Sequence, residues 1–437
     1  MREIKGKIGT AFVYNDDVEQ EAVSQIYQLL EQPMAENAHI RVMPDVHSGA
    51  GCVIGYTAKL TDKIVPNLVG VDIGCGVFAV KLGKRSNVHK DFQKLDDFIR
   101  SNIPAGKTVR EISIFNTIEK VYSCIPNTKK HFDVWRNDLN EVASRSQQSL
   151  DYVLSSIGTL GGGNHFIEID LDDDDNYWFI VHSGSRNFGK KLAEYWQQVA
   201  VKEQKRRADT YAKDQLELIK KTINPKDIES KLKGLKNEYA KVPKDLEYLE
   251  GKDGEAYFND SLIAMEYAQL SRYVMAYLVI EKFFKLKFQD LEKIESVHNY
   301  IGPDRYIRKG AIAAYSGDKV VIPMHMAAGC VVGVGKGVEE WNFSAPHGAG
   351  RKMSRSKAKQ SIALEDFQYV MKKSKVWTSC VGKDTLDESP QAYKKPEEIV
   401  EYLKDTVDIE CWMKPVYNFK AGEDQDVHKK DKDNKND

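Results

Sequence analysis

The 437-residue chain sets 64 Lys and Arg against 65 Asp and Glu, a net charge of −1, with 41% apolar and 30% charged residues. That balance is ordinary for a globular protein and excludes an overall basic one, so a polyanionic partner has to be met by a local basic surface. No apolar run approaches the roughly 18 residues that cross a bilayer, and the opening MREIKGKIGT has no signal-peptide core, so a cytoplasmic protein without membrane partners is expected.

The length allows a large core, divided among two or three domains or gathered in one elaborate domain. The cysteines, Cys52, Cys75, Cys124, Cys330, Cys380 and Cys411, form no CxxC pair. Neither a disulfide framework nor a zinc ribbon is indicated, and a cysteine with a role is a thiolate ligand or a nucleophile.

In chain order, residues 17–32 read as an amphipathic helix opened by Asp16 or Asp17 and closed near Pro33. HIRVMPDVHSGAGCVIGYTAKL gives two strand-like runs whose link carries Asp45 and His47. IVPNLVGVDIGCGVFAVKL reads as a buried strand, a glycine loop holding Asp72 and Cys75, and a second strand. From about 88 to 156 the pattern is helical and polar. Residues 201–250 mix charges of both signs, as a solvated helical pair does. Residues 260–284 form a more apolar helix, capped by Asn259 or Asp260, that packs on the core. Short β-branched runs return from SVHNYIGP onward, a helix is expected at 397–408 and a last strand at Tyr417 to Lys420. The tail after 420 reads as disordered.

The stretch LGGGNHFIEIDLDDDDNYWFIVHSGSR, Leu160 to Arg186, reads as a β-hairpin. A loop of Leu171 to Asn176 places Asp170 opposite Tyr177 and His165 opposite His182, with Cβ atoms roughly 4.5–5.5 Å apart. A lone strand histidine is usually packed in a core. Two together, flanked by GGGN and SGSR, point instead to a site, and a slip of one residue would turn one ring to the other face.

Asp72, Cys75, His165, His182 and His298 supply a carboxylate, a thiolate and three imidazoles. Five such donors with a bridging thiolate suit two transition-metal ions, and the mixture of hard and soft ligands admits manganese, zinc, iron or cobalt. HGAGR at 347–351 places a histidine before a glycine loop, an arginine and a helix start. There an imidazole can face a phosphate held by backbone N–H groups and Arg351, the arrangement of a phosphoramidate-forming nucleophile. Arg351, Lys352 and Arg355 form the basic cluster beside it. A simple anion-binding turn is the plainer alternative.

MPDVHSGAGCVIG, VGVDIGCGV, GGGNHFIEI, HSGSRNFG, SVHNY, RKGA and HGAGRKMSR resemble, in order and spacing, the motifs of the RtcB family of RNA ligases. The likeness spans nearly the whole chain except part of 195–255 and the tail. It implies a mixed α/β fold, with one catalytic domain over 1–420, strands around a dimetal centre, a helical insertion over 190–290 and a disordered tail over 421–437. It implies a GTP- and manganese-dependent ligase joining an RNA 3′-phosphate or 2′,3′-cyclic phosphate to a 5′-hydroxyl, in RNA repair or tRNA splicing, with an archease-like activator as a partner. Asp72, Cys75 and His165 would hold one Mn²⁺, and Cys75, His182 and His298 the other. His347 would carry GMP. Nucleotide contacts would fall on Asn164, His165, Phe166, Ile167, Glu168, His298 and Asn299. Further along the chain they would fall on Pro323, Met324, His325, Met326, Cys330, His347, Gly348, Ala349, Gly350, Tyr393 and Lys420. The segment 323–326 departs from the proline, glycine, serine, methionine run of the main branch, and Cys330 stands at a further serine position, which marks a divergent branch. A metal-dependent phosphoesterase and a non-ligating RNA-binding paralogue are the competing readings.

Overall fold

The computed structural model describes every residue except 89–90, 127, 129, 220–223, 240–241 and 423–437. The tail expected to be disordered therefore lies outside the described residues beyond Gly422. The chain opens with β1 (Arg2–Lys5), β2 (Thr10–Val13), α1 (Gln20–Leu30), β3 (Ile40–His47), β4 (Ile54–Lys59) and β5 (Gly76–Lys84). Helices α2 (Phe92–Asn102), α3 (Phe115–Tyr122), α4 (Phe132–Arg145) and α5 (Leu150–Ser156) precede the hairpin of β6 (Phe166–Leu171) and β7 (Asn176–Ser183). Next come α6 (Arg186–Ile219), α7 (Ile228–Tyr239) and α8 (Gly251–Val279), then β8 (Lys293–Val297), β9 (Asn299–Ile301) and β10 (Tyr306–Lys309). β11 (Ala311–Ala313), β12 (Lys319–Pro323), β13 (Cys330–Gly335) and β14 (Ser344–Pro346) lead to α9 (Arg355–Ser361), α10 (Leu364–Ser374), α11 (Pro396–Leu403) and the long β15 (Val407–Lys420).

Among the described residues the strands form a six-stranded sheet, β1-β2-β3-β4-β10-β9, a seven-stranded sheet, β12-β13-β15-β6-β7-β5-β8, and the pair β11-β14. Fold class is thus mixed α/β, as expected. The sheets meet where the chain switches between them: β8 ends the seven-stranded sheet at Val297, β9 joins the six-stranded one at Asn299, and His298 is the residue between. His47 ends β3 and His347 follows β14, so every sheet delivers a histidine to the junction.

The hairpin register differs from expectation by one residue. Leu171 pairs with Tyr177 and Phe166 with His182, so Asp172 to Asp175 turn the chain and His165 lies just outside the strand. Asp172 tightens the turn: its carboxylate accepts from the backbone N–H of Asp174 and Asn176 and from Trp178 Nε1. α1 begins three residues after Asp17 with Glu19 as N-cap, since Asn15 takes the Asp17 N–H. α8 starts at Gly251, so Asp260 is no cap; it is buried within the helix, where Arg145 and Trp196 donate to it.

α6 packs against α7, while α8 lies in the core, burying Tyr257, Tyr267 and Val274 completely. None of the described helices is long and apolar enough to cross a membrane. α8 also carries Arg272, fully buried, whose Nε donates to Glu295 at 2.8 Å and whose Nη1 donates to the carbonyls of Gly74 at 2.7 Å and Ser183 at 2.8 Å. One guanidinium thus ties α8 to the loop before β5 and to the end of β7. Replacing it with methionine takes this donor from two carbonyls and from Glu295 Oε1, leaving Glu295 only Gln269, and breaking a buried pair costs about 3–5 kcal/mol. Urea unfolding of Arg272→Met is expected to show a loss of that order, and a change below about 1 kcal/mol would contradict the assigned role.

Candidate active site

Cys75 sits immediately before β5, in a loop fixed by the Gly74 N–H donating to Asn299 at 2.6 Å and by His298 N–H donating to Cys75 O at 2.9 Å. Its Sγ is 3.5 Å from His165 Nε2 and 3.2 Å from His182 Nε2. His182 Nε2 is in turn 3.2 Å from His298 Nε2, and His165 Nε2 is 3.0 Å from Asp72 Oδ2. Two donor sets result, Asp72–Cys75–His165 and Cys75–His182–His298, with the donor atoms of each within 4.8 Å of one another and Cys75 common to both. The histidines expected to converge do so, by a route other than cross-strand pairing. His165, outside the strand, escapes its alternation.

The tautomers test whether a cation fits. His165 Nδ1 donates to Leu160 O at 3.0 Å and His182 Nδ1 donates to Asn164 O at 3.1 Å. With Nδ1–H donating, the neutral His182 ring has no second N–H, and its Nε2 lone pair is aimed at the Cys75 sulfur and at His298 Nε2. Burial, followed by neighbouring histidines, pushes His182 and His298 well below the usual imidazole range, so protonating them is no remedy. Asp72 Oδ1 is buried without a hydrogen-bond donor. Imidazole, thiol and carboxylate donor atoms packed at this spacing are the arrangement a metal cation satisfies, with carbonyl contacts orienting His165 and His182 from behind. The chemistry of the donor set therefore fits one or two divalent transition ions.

Beside the cluster lies a cavity of about 280 Å³. Asn164, Phe166 and Glu168 form one wall, Pro323 to Met326 a second, His347 to Gly350 a third, and Tyr393 and Lys420 close it, with His298 and Asn299 at the cluster end. Three residues expected at the nucleotide do not line it. His165 belongs to the donor cluster, Ile167 points into the main hydrophobic core because strand alternation turns it away from Phe166 and Glu168, and Cys330 lies buried behind Glu168.

His347 is held by Asp45, which is fully buried and accepts from His347 Nδ1 at 2.6 Å and from His347 N–H at 3.2 Å. Its ring lies 5.0 Å, centroid to centroid, from His298 of the donor cluster. With Nδ1–H committed, Nε2 is the atom left to act. The Asp45 carbonyl also takes Nδ1 of His47 at 2.9 Å, and burial pushes His47 down to about 4, so this second imidazole lining the cavity stays neutral. His325 is likewise pushed down to about 4 by burial, and its Nδ1 accepts the Ala327 N–H.

Arg351, read from the sequence as a phosphate ligand, spends its donors on Met353 O, Asp387 O, Glu388 and the Tyr393 hydroxyl. Glu388 is the anchor of this group: buried, 3.3 Å from Arg351, 3.0 Å from Lys420 and 2.6 Å from Tyr393 Oη. Burial alone would raise it, but Lys420, Arg355 and Arg351 hold it down to about 2. Arg355, whose Nη2 donates to Asn164 Oδ1 at 3.1 Å, is the basic-cluster member that shares the cavity wall with Arg351.

The family model for the tRNA-splicing ligase RtcB matches residues 25–421. The chain belongs to the RtcB family. It is 29% identical to the RNA-splicing ligase RtcB of Escherichia coli K12 over 92% of its own length and 95% of that protein's. It is 25% identical to the tRNA-splicing ligase RtcB of Aeropyrum pernix over 90% of both, and 25% identical to that of Methanococcus maripaludis over 83% and 84%. The sequence reading placed Asp45 and His47 in an RtcB motif without giving them a role. Glu388, Asn418 and Arg272 escaped it altogether, because an acid in DTLDESP, an asparagine in a strand and an arginine in an apolar helix carry no local signal.

A Cβ on Gly184, in the HSGSR motif of this RtcB chain, would lie 2.2 Å from Asp72 Oδ1, so only glycine leaves room for that carboxylate. Gly184→Ala is expected to displace Asp72 and weaken divalent-metal binding about tenfold or more in equilibrium dialysis. Unchanged affinity and stoichiometry would contradict the assigned cluster.

Proposed function

We propose that the chain is an RNA ligase that uses GTP and two manganese ions to join an RNA 3′-phosphate or 2′,3′-cyclic phosphate end to a 5′-hydroxyl end, by way of GMP carried on His347. The observation that carries this reading is the buried Asp45–His347 contact, which engages Nδ1 and leaves Nε2 as the ring nitrogen available to the cavity, next to a ligand of the metal cluster. Membership of a family whose curated relatives are named RNA- or tRNA-splicing ligases supports the substrate class.

Asp72, Cys75 and His165 would hold one manganese ion, and Cys75, His182 and His298 the other. Bound there, the ions supply positive charge that polarises phosphoryl oxygens. His347 Nε2 attacks the α-phosphorus of GTP, the P–N bond forms, and pyrophosphate leaves. Asp45 holds the Nδ1 proton and stabilises the charge the ring acquires. An oxygen of the RNA 3′-phosphate, which at a cyclic end forms first when water breaks the P–O2′ bond and the 2′-oxygen leaves as the hydroxyl, then takes the GMP, breaking the P–N bond. The 5′-hydroxyl attacks the activated 3′-phosphorus and GMP departs. Glu168 reads the guanine edge, since a carboxylate accepts from N1–H and the 2-amino group that adenine lacks. Lys420, fixed by Glu388, and Arg355 supply the positive wall against the phosphates. The setting is cytosolic, in RNA repair or tRNA splicing.

Incubation of the manganese-loaded protein with GTP labelled at the α-phosphate tests this on a denaturing gel. Wild type is expected to retain an acid-labile label, His347→Ala none, and Asp45→Asn is expected to label about 10²–10⁴-fold more slowly. A wild-type chain that takes no label under anaerobic conditions would contradict the ligase and favour a metal-dependent phosphoesterase.

A further inference from the structure

Glu168 and Asp170 alternate along β6, so both side chains leave the same face of the strand. Glu168 faces the cavity; Asp170 lies behind it, fully buried. The two carboxylates and Cys330 Sγ, from β13, lie within 4.8 Å of one another. Glu168 Oε2 accepts from Asn418 Nδ2 at 2.5 Å, whereas the groups nearest the Asp170 oxygens are Glu168 and the thiol and backbone N–H of Cys330, none of them in close hydrogen-bond geometry. β7 places Ile180 and Trp178 opposite the pair and adds no charge. β15 brings Lys420 toward Glu168, already bound to Glu388 at 3.0 Å, and Lys414 toward Asp170, with its ammonium over the Trp412 ring. Burial pushes both acids above the usual carboxylate range, and the charge of Asp170 pushes Glu168 further. Two buried carboxylates this close do not both ionise, so one proton stays between them.

We propose that Asp170 is a positioning residue that selects guanine over adenine by taking the proton the pair shares. The inference rests on the GTP reading above and deepens it. With the proton on Asp170, Glu168 presents two acceptor oxygens, the complement of guanine N1–H and its 2-amino group. With the proton on Glu168, the acid presents one donor and one acceptor, the complement of adenine N1 and its 6-amino group. When guanine enters, the O–H bond on Glu168 breaks, an O–H bond on Asp170 forms, and no proton leaves the protein. Asp170 itself does not touch the nucleotide.

The test is titration calorimetry of the metal-loaded protein with α,β-methylene analogues of GTP and ATP, which cannot transfer a nucleotidyl group to His347. Runs between about pH 7.5 and 8.5, where the pair holds a single proton, in buffers of different ionisation heat, count the protons released. Ionisation of the analogue's own phosphates is common to wild type and variant, so their difference reports the pair. Wild type is expected to bind the guanine analogue in preference to the adenine one with no proton released by the protein. In Asp170→Asn the Glu168 proton has nowhere to go but solvent. Guanine binding then releases up to one proton, its affinity falls by up to about tenfold per pH unit on the acid side, and the preference over adenine shrinks in step. Identical proton counts and base preference in wild type and variant would overturn the proposal. So would a full proton released by wild type, a result that needs no variant. Loss of a bound metal ion in Asp170→Asn would also overturn it, giving the cluster to a cation instead. Failure of wild type to bind either analogue would overturn the GTP reading and this inference with it.

Discussion

Three imidazole nitrogens and one sulfur crowd together at the junction of the sheets, at the spacing of ligands around a cation. Cys75, His165, His182 and His298 are all nearly inaccessible to water, and the Nδ1 contacts of His165 and His182 with Leu160 and Asn164 fix which ring atom faces inward. Much of the surrounding structure serves to keep those atoms close. Arg272 grips the carbonyls on either side of the cluster, at Gly74 and Ser183. Gly184 is bare because the Asp72 carboxylate occupies the space of its side chain. The switch of the chain from one sheet to the next at His298 brings the last ring in.

His347, the proposed carrier of GMP, is held on a different principle. Asp45 lies in the six-stranded sheet and His347 follows a strand of the small pair, so the 2.6 Å contact between them also stitches two sheets together. On the far side of the cavity, Glu388 gathers Lys420, Arg351 and Tyr393 without exposure to water. Its depressed ionisation is the counterpart of their charge: a buried carboxylate remains ionised there only because several cations converge on it. The cavity thus lies between a cluster of electron-pair donors and a wall of anchored cations, which suits a polyanion met together with metal ions.

The donor atoms were legible in the sequence because histidine, cysteine and aspartate beside glycines are chemically conspicuous, and the motif resemblance then grouped them. Their geometry was not legible. The hairpin was read one residue out of register because the capping power of Asp172, which satisfies two backbone N–H groups, shortens the turn relative to the acidic run DDDD. Asp260 looked like a helix cap, the usual use of an aspartate before an apolar stretch, and instead neutralises Arg145 inside α8. The mixed α/β class followed from alternating strand-like and helical patterns. The sheet order did not, since β15 inserts between β13 and β6, far apart in the chain. Glu388 and Asn418 act through neighbours distant in sequence and Asp170 through Glu168 on its own strand, and each became visible only with the fold in hand.

Central to the proposed function is that Cys75, common to both donor sets, would serve two metal ions at once. Electron paramagnetic resonance of the protein reconstituted anaerobically with two equivalents of Mn²⁺ tests it most directly. A spin-coupled signal from adjacent ions, abolished in Cys75→Ala, is the result this account predicts. Only the hyperfine pattern of isolated Mn²⁺, unchanged by that substitution, would contradict it.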